Sequence, residues 1–350
     1  MRQIRLLLLL LLVTLQACSD EQVKSTTTTA KGKKNMENNI LMKKPSFNLQ
    51  VSCENAIFVL TLNGATVYEH TMLYPVSFEH NINDFITTGN NKLEILMLNR
   101  GKNLAKCEVK LVVREFNDFE SEEKILTLAY DYSAKNPLEK STPKGRYDSS
   151  FGFKASQYGD VVVGEAKVEP FKDLPLFPLE GVNASLEFSL DTPFPRWRFL
   201  DGEKILNKSY YSLSLNEFED LQKNDPKLKK LYELNHKIYL AAKAKDLDRL
   251  MSFFKVRTKE LAIAIHSTED DIESTTRRAF EKAMNNKDFV FIDISEEDWK
   301  NHKRTFVVEK GDNLAYLKAI LSWSSKKENG GGHSFDMKFQ YVDGEWILVR

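Results

Sequence analysis

The side chains that could do chemistry are spread along this chain without the spacing of a familiar reactive site. No two of the six histidines lie within five residues of each other: His70, His80, His236, His266, His302 and His333. The chain has no HExxH, CxxC or Gly-x-Ser-x-Gly motif, so it lacks the usual patterns of a zinc protease, a dithiol site and a serine nucleophile. We therefore expect structural histidines, no metal site and no cofactor.

Two local clusters remain as candidates for acid–base or phosphate chemistry. Asp293 and residues 296–298 place four carboxylates near the end of a predicted strand. Paired carboxylates need a pocket to act as acid and base, so a solvated acidic loop is the simpler interpretation. Residues 330–333 are rich in glycine, but the Lys-Ser/Thr of a phosphate-binding loop does not follow them. We expect a hairpin loop there.

The N-terminus has the pattern of an export signal. Two arginines precede an almost unbroken apolar block at 6–15, which is too short to span a membrane but suits a secretory signal. The run Leu15-Gln16-Ala17-Cys18 resembles the bacterial lipoprotein signal. The resemblance implies that residues 1–17 are removed and that Cys18 receives lipid. An ordinary cleaved signal beside a coincidental cysteine is the alternative.

Residues 18–44 follow as a predicted tether. They are rich in Ser, Thr, Lys, Asn and Glu, a composition that buries too little apolar surface to fold. In enteric lipoproteins, an aspartate directly after the lipidated cysteine retains the protein in the inner membrane. Ser19 occupies that position here. The resemblance therefore implies an outer-membrane lipoprotein on the periplasmic face.

The charge balance gives the protein no electrostatic reason to bind nucleic acid. The precursor has 50 basic and 50 acidic residues. Removal of residues 1–17 takes away two arginines and no acid, which leaves 50 − 2 = 48 basic residues. A mature chain at about −2 is not attracted to nucleic acid as a whole. The partners that we expect are the membrane, reached through the lipid, and a protein of the cell envelope.

The remaining two cysteines predict a disulfide. If Cys18 carries lipid, Cys53 and Cys107 are left as a pair, and an exported protein can keep a disulfide oxidised. Both cysteines fall on the apolar face of alternating segments, which are the first and last strands of one predicted sandwich. Two buried free thiols are the alternative.

Residues 45–116 show the alternation of apolar and polar side chains that indicates antiparallel strands. Asn63-Gly64 is a strong signal for a two-residue hairpin. An apolar strand into Asn63-Gly64, followed by Gly89-Asn90-Asn91 before another apolar strand, resembles secreted β-sandwiches of the galactose-binding-like, jelly-roll kind. The resemblance covers 47–115 and implies the fold without any binding residue. Carbohydrate binding stays open as an alternative function.

The middle of the chain is less regular. Residues 117–150 are interpreted as a linker or irregular segment, because Pro, Gly, Ser and charged residues dominate their second half. Residues 151–200 form a β-rich middle segment that is able to pair with the first sandwich.

An aromatic and arginine-rich motif, residues 193–199, lies between the middle segment and the last third. Trp and Arg are enriched among the residues that dominate protein interfaces. The candidate partner-binding residues are Phe194, Arg196, Trp197 and Arg198. The alternative is that the aromatic residues dock the last domain onto the middle segment and the arginines are solvated.

Residues 201–350 have the pattern of an α+β domain, with helices followed by strands. Segments 238–254 and 339–348 resemble the first helices and the last hairpin of nuclear-transport-factor-2-like cone folds, a resemblance that covers 224–350. It implies helices packed on a curved antiparallel sheet that encloses a pocket. Asp293, His333 and Asp336 would lie at the mouth or wall of that pocket.

The sequence thus predicts a multidomain β plus α+β protein. It comprises an N-terminal antiparallel β-sandwich, a β-rich middle segment and C-terminal helices on a curved antiparallel sheet. The leading function is non-catalytic binding of a protein partner by a lipid-anchored envelope adaptor, with immunity lipoproteins as one subclass. Small-molecule binding or hydrolase- or isomerase-like chemistry in a cone pocket is the alternative, and an enzyme is the less favoured outcome.

Overall fold

The computed structural model describes residues 44–98, 105–116, 118, 122–131, 138–141, 162–171, 181–190, 192–207, 213–302, 304–309, 311–326, 332–335 and 337–350. Cys18, the signal peptide, nearly all of the tether and Asp336 lie outside these residues. The described fold is rich in β-structure, with four antiparallel sheets and six α-helices. None of the described helices has both the length and the apolar character needed to cross a membrane.

Ten of the described strands build a β-sandwich. They are β1 (Pro45–Glu54), β2 (Ile57–Leu62), β3 (Ala65–His70), β4 (Val76–Asn81), β5 (Gly89–Leu98), β6 (Lys106–Glu115), β7 (Glu123–Asp131), β8 (Leu138–Ser141), β9 (Val162–Phe171) and β10 (Gly181–Leu190). One sheet has the order β4-β1-β6-β7-β8 and the other β3-β2-β5-β10-β9. Apolar side chains from both sheets form a single core. Strands β9 and β10 of the middle segment complete the second sheet, because β10 pairs with β5 along its whole length.

Strand β1 shows how the alternation builds this core. Phe47, Leu49, Val51 and Cys53 are buried, whereas the intervening Ser52 is exposed. Cys53 stands directly opposite Cys107 on β6, with their Cα atoms 4.1 Å apart. The predicted disulfide is confirmed, and it ties two neighbouring strands of one sheet.

Residues 213–350, which we call the C-terminal unit, contain the helices. These are α1 (Leu215–Asn224), α2 (Pro226–Lys243), α3 (Leu247–Ser252), α4 (Lys255–Ala264), α5 (Glu269–Asn285) and α6 (Glu296–Lys300). The strands are β11 (Phe289–Phe291), β12 (Phe306–Val308), β13 (Leu314–Leu317), β14 (Leu321–Ser325), β15 (Gly332–Phe335), β16 (Phe339–Val342) and β17 (Glu345–Leu348). They form two sheets, with the orders β11-β14-β15 and β12-β13-β16-β17. Helices and sheets share a second apolar core.

Asp225-Pro226 has the sequence pattern of a helix start, with Asp as the N-cap and Pro at the first helical position, and the capping in the structure confirms this prediction. The Leu228 N–H donates to the Asp225 carboxylate over 2.9 Å, and Pro226 is the first helical residue. Two other expectations were wrong. The sequence pattern predicts one strand at 314–323, but the structure has two strands there, β13 and β14, which belong to different sheets and are separated at Ala319, which has a φ of 56°. Residues 296–298 are the first turn of α6 rather than a loop, because carboxylates are favoured at the positive end of a helix.

The C-terminal unit packs directly on the sandwich along a contact that we call the seam. The Gly311 N–H donates to the Gly64 carbonyl over 3.0 Å. Glu309 accepts from the Thr66 N–H at 2.6 Å, and the Lys338 ammonium donates to the Thr66 carbonyl at 2.9 Å. These contacts cover β3, the edge strand of the second sandwich sheet.

Candidate functional site

The aromatic residues of the 193–199 motif fill the seam rather than a partner surface. Phe194, Trp197 and Phe199 are buried. The Trp197 indole N–H donates to the Ile86 carbonyl over 2.7 Å, which satisfies its polar group inside the core. The expectation that Phe194 and Trp197 bind a partner is therefore corrected, since both side chains are already covered within this chain.

The two arginines of the motif remain on the surface. The Arg196 guanidinium forms an ion pair with Asp201 at 2.7 Å, and both side chains are well exposed. Arg198 is also exposed, and its main-chain N–H donates to the Glu260 carboxylate over 2.9 Å. The arrangement is the alternative stated above, in which aromatic side chains join two parts of the protein and arginines face water. Exposed ion pairs of this kind add little stability.

The last residue, Arg350, inserts its side chain into the same seam. Its guanidinium lies 4.4 Å from the ring centroid of Phe199 and 5.1 Å from that of Phe85. It also pairs with the Asp84 carboxylate at 3.2 Å, and only 7% of the side chain is exposed. Burial lowers the pKa of Arg350, while Asp84 opposes that shift. No sequence motif signals this role, because it depends on contacts between distant segments.

The residues predicted for a pocket are separated in the structure. Asp293 follows β11 and is exposed, where it pairs with the Lys243 ammonium at 2.6 Å and accepts from the Tyr239 hydroxyl. The Lys243 hydrogen bond, together with that from Tyr239, lowers the pKa of Asp293. His333 lies on β15, with β14 between its strand and β11. Asp336, the third residue of the predicted pocket, lies outside the described residues.

The described surface offers one group of apolar side chains beside this ion pair. Val290 in β11 and Ile292 directly after the strand are 48% and 38% exposed, and they alternate with the more deeply placed Phe289 and Phe291. Strand β11 is an edge of its sheet. The sequence analysis did not single out these residues. The sequence does contain a signal for them, an unbroken apolar run at 289–292. An edge strand with one solvated face would ordinarily have polar residues at alternate positions.

Within the described sheet, some main-chain groups of β11 also point away from its neighbour β14. The Ile292 N–H donates to the Ser322 carbonyl and the Lys326 N–H to the Asp288 carbonyl, so even-numbered residues face β14. In an antiparallel pair the intervening residues point the other way. The main chain of Phe291 therefore points to the open edge of the described sheet.

Comparison of the chain with protein-family models found no match, and comparisons with curated proteins and with solved structures found no similar protein. Among the described residues, no group of three or more His, Cys, Asp or Glu side chains has the arrangement of a metal site.

Proposed function

We propose that this protein is a lipid-anchored envelope protein that binds a protein partner without catalysis. The observation that carries the proposal is the apolar outer edge that β11 forms in the described sheet. Edge strands are commonly protected by charges, prolines or covering segments, since a bare edge invites pairing with another chain. Here both outward side chains, Val290 and Ile292, are apolar.

The occupant that we propose is an extended segment of the partner. Such a segment would pair with the open main chain of Phe291 and place alternate side chains against Val290 and Ile292, the mode of strand addition. The Lys243–Asp293 ion pair lies at the end of the strand and would form a polar rim. The tether and the lipid on Cys18 would hold this surface at the periplasmic face of the outer membrane.

The test is partner capture with matched variants of the full, tagged chain in detergent-solubilised envelopes. Val290→Lys with Ile292→Lys should reduce recovery of one stoichiometric partner by about tenfold or more, the effect of losing about 1.4 kcal/mol of binding. The control is Leu73→Lys with Tyr74→Lys, which changes another exposed apolar pair on the sandwich. Equal recovery by the β11 variant and the wild type would refute the assignment. A secreted toxin as the partner would place the protein in the immunity subclass.

Ligand binding in the C-terminal unit is the second candidate function, and one observation favours it. The Trp299 indole N–H is buried and has no hydrogen-bond partner among the described residues. The His236 ring stacks on this indole at 4.6 Å, and Tyr239 contacts it at 5.5 Å. A ligand with a hydrogen-bond acceptor would satisfy the indole N–H. Loss of ligand-induced quenching of tryptophan fluorescence in Trp299→Phe would support this candidate over partner binding.

A further inference from the structure

His266 joins the C-terminal unit to the point where the chain enters the sandwich. It follows helix α4 with a φ of 55°, and its ring Nε2 lies 2.9 Å from the carbonyl oxygen of Pro45, the first residue of β1. In return, the ammonium of Lys44 donates to the His266 carbonyl over 3.4 Å. We call this pair of contacts the clasp. It holds the end of the predicted tether against the C-terminal unit.

A third contact ties the same elements together without a titratable group. The Asn83 side-chain amide donates to the Pro45 carbonyl at 3.0 Å and to the Ala264 carbonyl at 2.7 Å. Asn83 is fully buried, and an amide does not change its charge with pH. If the clasp opened, the sandwich and α4 would therefore still be joined at Asn83.

The Pro45 carbonyl fixes the position of the hydrogen on the neutral His266 ring. A carbonyl oxygen only accepts hydrogen bonds, so Nε2 carries the hydrogen and a second proton would add to Nδ1. The ring is half-buried, and its centroid lies 5.8 Å from that of Phe116 and 5.7 Å from that of Phe194. A positive charge on the ring would lose part of its hydration in this position.

The acids nearest the ring are engaged by other groups. Glu115, at the end of β6, accepts the Lys44 main-chain N–H at 2.7 Å, and Asp271 of α5 accepts the Thr268 hydroxyl at 2.7 Å. The Lys44 ammonium lies at the C-terminal end of α4, so it already supplies the positive charge that a helix end favours. Burial lowers the pKa of His266; the Pro45 hydrogen bond and Glu115 oppose that shift, and Lys44 adds to it. The surroundings of the ring therefore favour its neutral form.

We propose that the clasp is a pH-dependent latch, which is closed while His266 is neutral and opens when the ring is protonated. The neutral ring packs between two phenylalanines and holds the Pro45 carbonyl. The protonated ring is repelled by Lys44 and gains hydration by moving into solvent, so both contacts of the clasp are lost. The stability of the closed latch is complete above the usual pKa of 6.5, and it is lost as the pH falls through the lower pKa of the closed state. Acid therefore frees the start of β1 from the C-terminal unit, while Asn83 keeps the two parts joined.

The test is amide hydrogen exchange of the full chain, corrected for the intrinsic effect of pH on exchange. The reporting amides are those of Lys44, which donates to Glu115, and of Phe116, which donates to the Lys44 carbonyl over 2.7 Å. Between about pH 7.5 and about pH 5.5 their protection should fall severalfold, up to the roughly tenfold that one group with an open-state pKa near 6.5 allows. Amides of β5 in the sandwich core should keep their protection. Unchanged protection of Lys44 and Phe116 would overturn the proposal.

Variants separate His266 from other groups that titrate in the same range. His266→Gln keeps a donor for the Pro45 carbonyl but cannot be protonated, so the loss of protection should disappear. His302→Gln is the matched control, since burial also lowers the pKa of the half-buried His302, and it should lose protection as the wild type does. Lys44→Met removes the repelling ammonium and should move the opening to lower pH. An equal loss in His266→Gln would refute the latch and assign the effect to an acid such as Glu115.

A direct titration of the wild type tests the latch without any substitution. The NMR signal of the His266 ring should titrate over the same pH range in which the Phe116 amide loses protection, because one proton controls both events. A His266 titration that is complete before protection begins to fall, or that starts only after protection is lost, would overturn the proposal.

Discussion

Replacement of Gly64 by alanine tests whether the sandwich and the C-terminal unit are joined as rigidly as the seam indicates. Gly64 has a φ of +82°, and a Cβ added there would lie 2.6 Å from the Gly311 Cα, where ordinary contacts begin at 3.4 Å. The atoms that the added Cβ would meet, the Gly311 Cα and N, belong to the main chain, and the Gly311 N–H is hydrogen-bonded to the Gly64 carbonyl. Neither segment can move away without weakening that bond.

The fold contains its own control for this substitution. Gly344 follows Asp343 in a two-residue hairpin turn, as Gly64 follows Asn63, and its φ of +84° is nearly the same. A Cβ at Gly344 meets no atom within 4 Å. Gly344→Ala should therefore cost only the left-handed backbone strain, about 1 kcal/mol. Gly64→Ala should cost about 1–3 kcal/mol more, the usual penalty for overpacking.

Urea unfolding of the wild type and both variants measures this difference. We expect a single transition for the wild type, with a lower midpoint for Gly64→Ala than for Gly344→Ala. Equal midpoints for the two variants would refute the reasoning, because they would show that the seam accommodates the added Cβ with no loss in the free energy of unfolding. A separate early transition in Gly64→Ala would show that the C-terminal unit detaches first.

Three further predictions follow from the same structure. Changing both Cys53 and Cys107 to Ser should lower the free energy of unfolding by about 4 kcal/mol in the chain-entropy account, since the disulfide joins residues 54 positions apart. In urea unfolding, wild-type protein in reductant should match the variant. A variant with the same urea midpoint as the oxidised wild type would contradict this prediction. Cys18→Ser should abolish incorporation of a labelled fatty acid and release the protein from the membrane fraction; continued labelling would refute lipidation at Cys18. Burial lowers the pKa of three histidines, His80, His266 and His302, below the usual 6.5. The folded protein therefore favours their neutral form. The stability that this preference contributes is complete above pH 6.5, and it is lost as the pH falls through the folded-state pKa values. The urea midpoint should therefore decrease as the pH is lowered from about 7 to about 5, and His266→Gln should make this decrease smaller. An equally large decrease of the midpoint in that variant would argue against a contribution from His266.

Much of the sandwich could be predicted from local pattern. The alternation of Phe47, Leu49, Val51 and Cys53 fixed one face of β1 toward the core, because successive side chains of a strand point to opposite faces. The Asn63-Gly64 turn could also be predicted from neighbouring residues alone, because the turn needs two positive φ angles and Asn-Gly adopts them readily. The disulfide followed from both cysteines having core-facing positions.

The same local reasoning could not locate the candidate site. Whether Trp197 faces a partner or the interior depends on the Ile86 carbonyl, which is more than a hundred positions away in sequence. Likewise, nothing in the pattern around Asp293 and His333 shows that β14 separates their strands. Strand order within a sheet depends on long-range pairing, which hydrophobic periodicity does not encode.

The sequence by itself therefore determined the strand faces, the hairpin turns, the helix start at Asp225 and the pairing of Cys53 with Cys107. Each of these depends on the conformational preferences of neighbouring residues or on the period of a single element. Only the tertiary structure decided that the aromatic residues of the 193–199 motif are buried and that β11 is an edge of the described sheet. Those properties arise from packing between distant segments, where the free energy of burial and pairing outweighs local preference.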